Sequence, residues 1–296
     1  MLKNLTIYAL KSADKLTKEA LHTALSKLQF TECGTHDMQS QGWISPRNDD
    51  LLVHEVNKQF LLMFVTEKKV LPSDTIKKVT SDRAAELEEQ QGFAPGRKAL
   101  KDLKERVIDE LIPRAFTTRR FTRVWIDTVN GYLGIDTSAP AKADEVIKFL
   151  LKTGAHLELE AIRTKQSVQA AMTGWLESDE APAGFTVDQD AELRSLNETK
   201  STVKYVRHTL EHGDVAQHIA AGKQCTKLAM TWNDRISFVL TEKLTLNKIK
   251  LLDVMTEQYD TGINHEERFD SDFALFTGEA ANLITGLLDA LGGTAD

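Results

Sequence analysis

At 296 residues the chain passes the size at which one core usually keeps growing, so two or three packed lobes are expected rather than one. Its composition (41% hydrophobic, 27% charged, 7% aromatic, 6 Pro, 16 Gly) excludes collagen-like, mucin-like and largely disordered chains. The net charge of −7, from 44 acidic and 37 basic residues, is opposite in sign to what a simple nucleic-acid binder carries.

Taken in order, the residues predict a strand over Leu5 to Leu10 and a helix from about Lys15 to Leu28 with Leu16, Ala20, Leu21, Leu25 and Leu28 on one stripe. Strands follow near Leu51 to Val56 and Gln59 to Val65. After Leu71-Pro72 a charged helix begins at Ile76, breaks at Gly92 to Gly96, and gives way to a second helix through Leu100, Leu103, Val107, Ile108 and Leu111 that stops at Pro113. Asn130-Gly131, between Val124-Trp125-Ile126 and Tyr132-Leu133-Gly134-Ile135, is the strongest hairpin signal, and a helix follows from Ala141 to Leu151. In the second half a short helix is predicted near Val215 to Ala221. Strands are predicted at Lys227 to Trp232, Arg235 to Leu240, Lys248 to Leu252 and Phe273 to Phe276. A turn at Thr277-Gly278-Glu279 then leads into a helix from Ala280 to Leu291, closed by Gly292-Gly293. Hairpins interleaved with helices predict an α+β class with mainly antiparallel sheets.

No apolar run approaches the roughly 18 residues that span a bilayer. The N-terminus lacks the basic and long apolar regions of a secretory leader, so a soluble cytoplasmic protein is expected. Cys33 and Cys225 lie far apart and outside any CxxC pair, which argues against a disulfide framework and a thiolate zinc site.

The charges are segregated. Lys200 to Lys250 and Arg97 to Arg123 each carry nine Lys/Arg against four acids, whereas Asp253 to Asp296 carries ten acids and one base, and Glu177 to Glu198 seven and one. Such asymmetry can leave a positive surface on an acidic protein. Its sharpest concentration is the eleven-residue run from Pro113 to Arg123, with Arg114, Arg119, Arg120 and Arg123, Phe116 and Phe121, three threonines and no acid. Guanidinium and hydroxyl groups suit phosphate oxygens, and a nearby Phe can stack on a base. The alternative is that both phenylalanines are buried and the arginines pair with the acidic tail; composition leaves the two even.

Other patterns carry less. His208-Thr209-Leu210-Glu211-His212 matches HxxEH, which on a helix sets two imidazoles for zinc, but Gly213-Asp214 is expected to end any helix there. His36-Asp37 with Cys33 suggests a nucleophile and base without a third orienting group, so a loop is expected. No GxxxxGK[ST], GxGxxG or GxSxG element is present. Trp43, Trp125, Trp175 and Trp232 are dispersed and expected as core or interface anchors.

Six groups of residues together carry a resemblance. They are Phe30-Thr31-Glu32-Cys33-Gly34 with Gly42-Trp43; Val70-Leu71-Pro72-Ser73; Leu111 to Phe116; Trp125-Ile126-Asp127-Thr128-Val129-Asn130-Gly131; Ala221-Gly222-Lys223 with Thr226 to Ala229; and Phe269 to Phe273 with Thr277-Gly278-Glu279. In their order and spread the chain resembles the bacterial recombination-associated RdgC family from end to end. The resemblance implies a non-enzymatic, sequence-independent DNA-binding protein of the nucleoid. It implies a ring-shaped homodimer with a basic lining that encircles duplex DNA and limits RecA-dependent recombination. Single-stranded DNA as a further ligand and direct contact with RecA stay open. No cofactor, metal or membrane partner is implied.

The resemblance and the basic residues together lead to the expectation that DNA is bound by Arg114, Phe116, Arg119, Arg120, Arg123, Lys223 and Lys227. Arg114 and Phe116 fall on the family's Pro-Arg-Ala-Phe motif, and Arg119, Arg120 and Arg123 extend it. The chain is expected to be one unit over 1–296. Its approximate lobes are a sheet region from 1–70 and 123–176, a helical arm with a basic loop at 71–122, and a C-terminal α/β region at 177–296. The rival readings are a zinc-dependent hydrolase using His208, Glu211 and His212, and an acidic protein-interaction scaffold.

Overall fold

The computed structural model describes residues 1–11, 13–47, 49–198, 200–252 and 264–295. The first half comprises β1 (Leu5–Leu10), α1 (Lys18–Ser26), β2 (Gln39–Ile44), β3 (Val53–Val56), β4 (Gln59–Lys69), α2 (Ser73–Gln91), α3 (Arg97–Leu111), β5 (Thr117–Asp127), β6 (Tyr132–Ile135) and α4 (Pro140–Lys152). The second half comprises β7 (Leu159–Ala161), α5 (Val168–Ser178), β8 (Phe185–Ser195), β9 (Thr202–Tyr205), α6 (His212–Ala220), β10 (Lys223–Trp232), β11 (Ile236–Thr241), β12 (Thr245–Leu251) and α7 (His265–Ala290). The class is α+β, as expected: the 12 strands of the described residues join one antiparallel sheet in the order β2-β4-β5-β6-β1-β12-β11-β10-β8-β9, with β3 on β4 and β7 on β1.

The hairpins follow local chemistry. Asn57 and Lys58 take φ of 52° and 61°, and Asn233 and Asp234 of 45° and 54°, so both hairpins close through left-handed pairs. At Asn130-Gly131 the glycine takes φ 71°, and buried Asp127 accepts the backbone N–H groups of Val129 and Asn130 at 2.9 and 3.0 Å. Gln59 bridges this carboxylate to the Trp125 indole, donating to Asp127 at 2.8 Å and accepting from Trp125 Nε1 at 2.7 Å. The Trp125 to Gly131 motif therefore builds a turn. Gly42 is required by proximity: a Cβ there would lie 2.3 Å from Phe30 Cα, where the 28–30 segment bonds to Trp43.

Two cores result. On one sheet face α1 and α4 supply Leu21, Leu25, Val146 and Leu150 against Phe60, Leu62, Phe64, Val124 and Ile126. The other core gathers α5, α6 and α7 over Leu228, Met230, Phe238, Leu240 and Leu246, and also takes in Leu61 and Trp125. Trp43 and Trp125 are fully buried and Trp232 nearly so, which makes them core anchors. Arg47 ties the N-terminal half to α7 by donating to Asp270 at 3.0 Å, and the His54 ring packs against Phe269 and Phe273 of the same helix.

Two expectations are corrected. Phe273 to Phe276 is not a strand and Thr277-Gly278-Glu279 is not a turn; all lie inside α7. Phe273, Phe276, Ala280, Leu283, Ile284, Leu287 and Leu291 are buried at helical spacing, and Gly278 sits on the exposed side, where the helix runs through it. The basic segment is also only partly a loop: from Thr117 onward it is β5, paired to β4 as far as Lys69↔Thr117. By contrast α2 buries no residue and α3 only Val107, so the pair forms an arm turned at Gly92, whose φ is 80°.

Candidate nucleic-acid interface

A short 3-10 turn, Ile112–Arg114, ends the arm, and Phe116 follows before β5 starts. The Phe116 carbonyl accepts the Val70 N–H at 2.7 Å, which pins its backbone to the end of β4 while the ring stays 87% exposed. Phe121 is 58% exposed. The alternative that buries both rings is corrected, and among the described residues the carboxylates that meet these arginines are Glu32, Glu67 and Asp136 rather than those of the acidic tail.

Strand alternation divides the rest: Arg119, Phe121 and Arg123 share one face of β5 and Arg120 lies on the other. Arg114 and Arg120 are exposed and have no carboxylate partner among the described residues. Arg119 is engaged. It donates to Glu67 at 2.8 Å and to Glu32, and its guanidinium stands over the Phe30 ring at 5.3 Å from the centroid. Glu67 is 2% exposed, and the Cys33 N–H together with Arg119 hold its carboxyl down at about 2. Arg119 thus fastens the 30–33 segment to the sheet. Arg123 lies 3.8 Å from Asp136. Lys68 and Lys69, opposite Thr118 and Thr117, add charge beside the segment.

Lys223 and Lys227 are elsewhere. They lie on β10, five strands from β5, which at about 4.8 Å per strand is about 24 Å along the sheet. Lys223 is near His218 Nδ1 at 3.4 Å and has no carboxylate partner among the described residues. Lys227 belongs to a cluster around Glu192, a residue 6% exposed. Burial opposes ionisation of Glu192, but hydrogen bonds from Lys227, Arg194 and Thr226 outweigh it and hold the carboxyl at about 2. Lys204, from the basic stretch, and Arg194, the one base in an acidic stretch, complete this cluster.

The remaining motifs are placed as follows. His208 to Glu211 precede α6, which begins at His212, so the HxxEH residues do not form one helical turn; the side chain of His212 lies outside the described set. The expected end of a helix at Gly213 is corrected to a helix start, since Gly213-Asp214 fall in its first turn. Cys33 and His36 lie in a loop, as expected. Among the described residues no three His, Cys, Asp or Glu side chains gather so as to hold a metal ion, and no helix is long and apolar enough to cross a membrane.

Comparison with known proteins identifies the lineage. A family profile described as "Putative exonuclease, RdgC" matches residues 1–294. The chain is 57% identical over 292 residues to the recombination-associated protein RdgC of Herminiimonas arsenicoxydans, covering 98% of this chain and 97% of that one. It is 55% identical to the same-named protein of Janthinobacterium sp. (strain Marseille), covering 99% and 98%, and 51% identical to that of Bordetella pertussis, covering 98% of each. A nearly full-length profile match and relatives of this identity over almost the whole chain lead to one conclusion: the chain belongs to the RdgC family of recombination-associated proteins.

Proposed function

We propose that this protein is a non-enzymatic, sequence-tolerant DNA-binding protein of the nucleoid that encircles duplex DNA as a ring-shaped homodimer and limits RecA-dependent recombination. The observation that carries this reading is the entry to β5, where an exposed Phe116 is flanked in sequence by Arg114 and Arg120, two cations without carboxylate partners among the described residues. Cations bind phosphates without regard to sequence, and an aromatic face stacks on any base. Glu67 and Glu192, held near 2, are far from the range a general base needs near neutral pH, which suits anchoring of cations better than proton transfer.

A closed two-fold ring needs two self-complementary patches per protomer. The α2–α3 arm offers one, with Phe93 64% exposed at its elbow and Leu100 38% exposed on α3. The apolar face of α7 near Leu291 does not offer the other, because it is taken up inside the protomer. Electrophoretic mobility shifts on unrelated duplexes, with and without Mg²⁺, test the reading together with sedimentation at micromolar concentration. Binding without degradation by a dimer is expected. A monomer would remove the ring, and failure to bind at low salt would remove the DNA reading.

A further inference from the structure

The second half of the sheet has helices on one face, packed on Leu228 and Met230, and charge on the other. On that open face Lys204 of β9, Glu192 of β8 and Lys227 of β10 are cross-strand neighbours, so their Cα atoms span about 10 Å. Glu192 Oε2 lies 3.0 Å from Lys227 Nζ and 3.4 Å from Lys204 Nζ, while Oε1 accepts from Arg194 at 2.8 Å and Thr226 Oγ1 at 3.0 Å. The glutamate side chain is 7% exposed, whereas Lys204, Lys227 and Arg194 keep 63%, 47% and 37% of theirs. One negative charge is sunk beneath three positive heads that reach solvent. Glu242, 3.9 Å from Arg194, joins the group, which then sets three cations against two carboxylates, while Asp188 and Asp190 farther along β8 accept from Thr231 and the Arg207 N–H. Each ammonium has three donors and the guanidinium five, which leaves most of them for an incoming anion.

We propose that Glu192 is a positioning residue that gathers Lys204, Arg194 and Lys227 into one preformed patch for the phosphodiester backbone of DNA. This rests on the DNA-binding reading and extends it to a second contact region about five strands from Phe116. The physical basis is entropic: a free lysine or arginine loses rotamer freedom when it meets a phosphate, and a head already held at a fixed carboxylate loses less.

Replacing the carboxylate sets two effects against each other. Loss of a negative charge strengthens the attraction for phosphate, whereas loss of the anchor loosens three cations. The sign of the change in affinity therefore reads the role. We would measure binding of the full chain to a fluorescent duplex by anisotropy at fixed salt, for wild type, Glu192→Gln, Lys204→Met and the double variant, with circular dichroism as the folding control. Glu192→Gln is expected to bind about fivefold or more weakly despite the loss of a negative charge. Lys204→Met should flatten the salt dependence by about one unit, and by less when Glu192 is already Gln. A folded Glu192→Gln protein that binds as tightly as wild type, or more tightly, overturns the proposal. Should Glu192→Gln fail to fold, Lys204→Met and Arg194→Met decide: unchanged affinity and salt slope in both overturns it, and a loss in both supports it. A wild-type chain that does not bind DNA removes the broader reading and this patch with it, whereas binding that ignores all these substitutions removes the patch alone.

Discussion

Truncation of Phe116 separates a ligand-facing ring from a structural one. With 87% of the residue exposed, folding removes only about 25 Å² of a side chain of roughly 200 Å² from water, so Phe116→Ala should cost about 0.6 kcal/mol at ~25 cal/mol per Å². The backbone contact to Val70 survives the change, because the carbonyl makes it. In a chain of this size the melting temperature should fall by about 1 to 3 °C. Phe64→Ala, at a fully buried ring, is the internal contrast and should cost about 3 to 5 kcal/mol. If Phe116 stacks on bases, its loss should weaken DNA binding by about 1 to 3 kcal/mol, roughly five- to 150-fold, in an anisotropy titration. The salt slope should hardly move, since no charge is removed. A variant that melts many degrees earlier, or one that folds and binds like wild type, refutes the assignment.

Acid should weaken the fold through its buried carboxylates. Glu67 has a folded pKa of about 2 against an ordinary 4.5, so its contribution is complete above pH 4.5 and is lost as the pH falls toward 2. Glu67→Gln should therefore lower stability at pH 7 by about 3 kcal/mol, with the difference from wild type shrinking across that window in urea denaturation; a gap independent of pH would contradict it. Gly278→Ala should stabilise the protein by about 0.5 to 1 kcal/mol, because the glycine is inside α7 with open space around a built Cβ; a lowered melting temperature would show that α7 is not continuous there. Gly42→Ala should do the reverse, since its Cβ would meet Phe30 backbone at 2.3 Å, and a variant as stable as wild type would dispute that close approach.

Local chemistry made much of the fold readable. Asn130-Gly131, the Gly92 elbow and the period-2 runs of β1, β10 and β11 each depend on neighbours in sequence and appear where expected. β2 is hidden in the sequence because its residues, Gln39-Ser40-Gln41-Gly42, are polar and its glycine reads as a turn, although what requires it is the passing 28–30 segment. β8 is hidden for a related reason: Asp188, Asp190 and Glu192 alternate along it, and Lys227 and Lys204, which neutralise the last of them, come from other strands. From Phe273 to Glu279 the helical period of the buried residues outweighs the turn propensity of Gly278.

The basic segment was visible, but the state of its cations was not. Arg119 is separated from Glu67 by 52 positions and from Glu32 by 87, so only the folded chain reveals that it binds carboxylates. The same holds for Lys227 and Glu192, 35 positions apart. Six phosphate contacts from Arg114, Arg119, Arg120, Arg123, Lys223 and Lys227 would give a salt slope of about −5 per protomer at −0.9 each. The structure leaves Arg114, Arg120 and Lys223 without a carboxylate partner among the described residues, which sets a floor of about −3.

That slope is the most direct test of DNA binding through phosphate contacts. Affinity for two duplexes of unrelated sequence would be measured by fluorescence anisotropy between about 50 and 200 mM salt. The expected result is a log–log slope of about −3 per protomer or steeper, with the two duplexes within a few-fold of each other. A slope near zero, or a strong preference for one sequence, would contradict it.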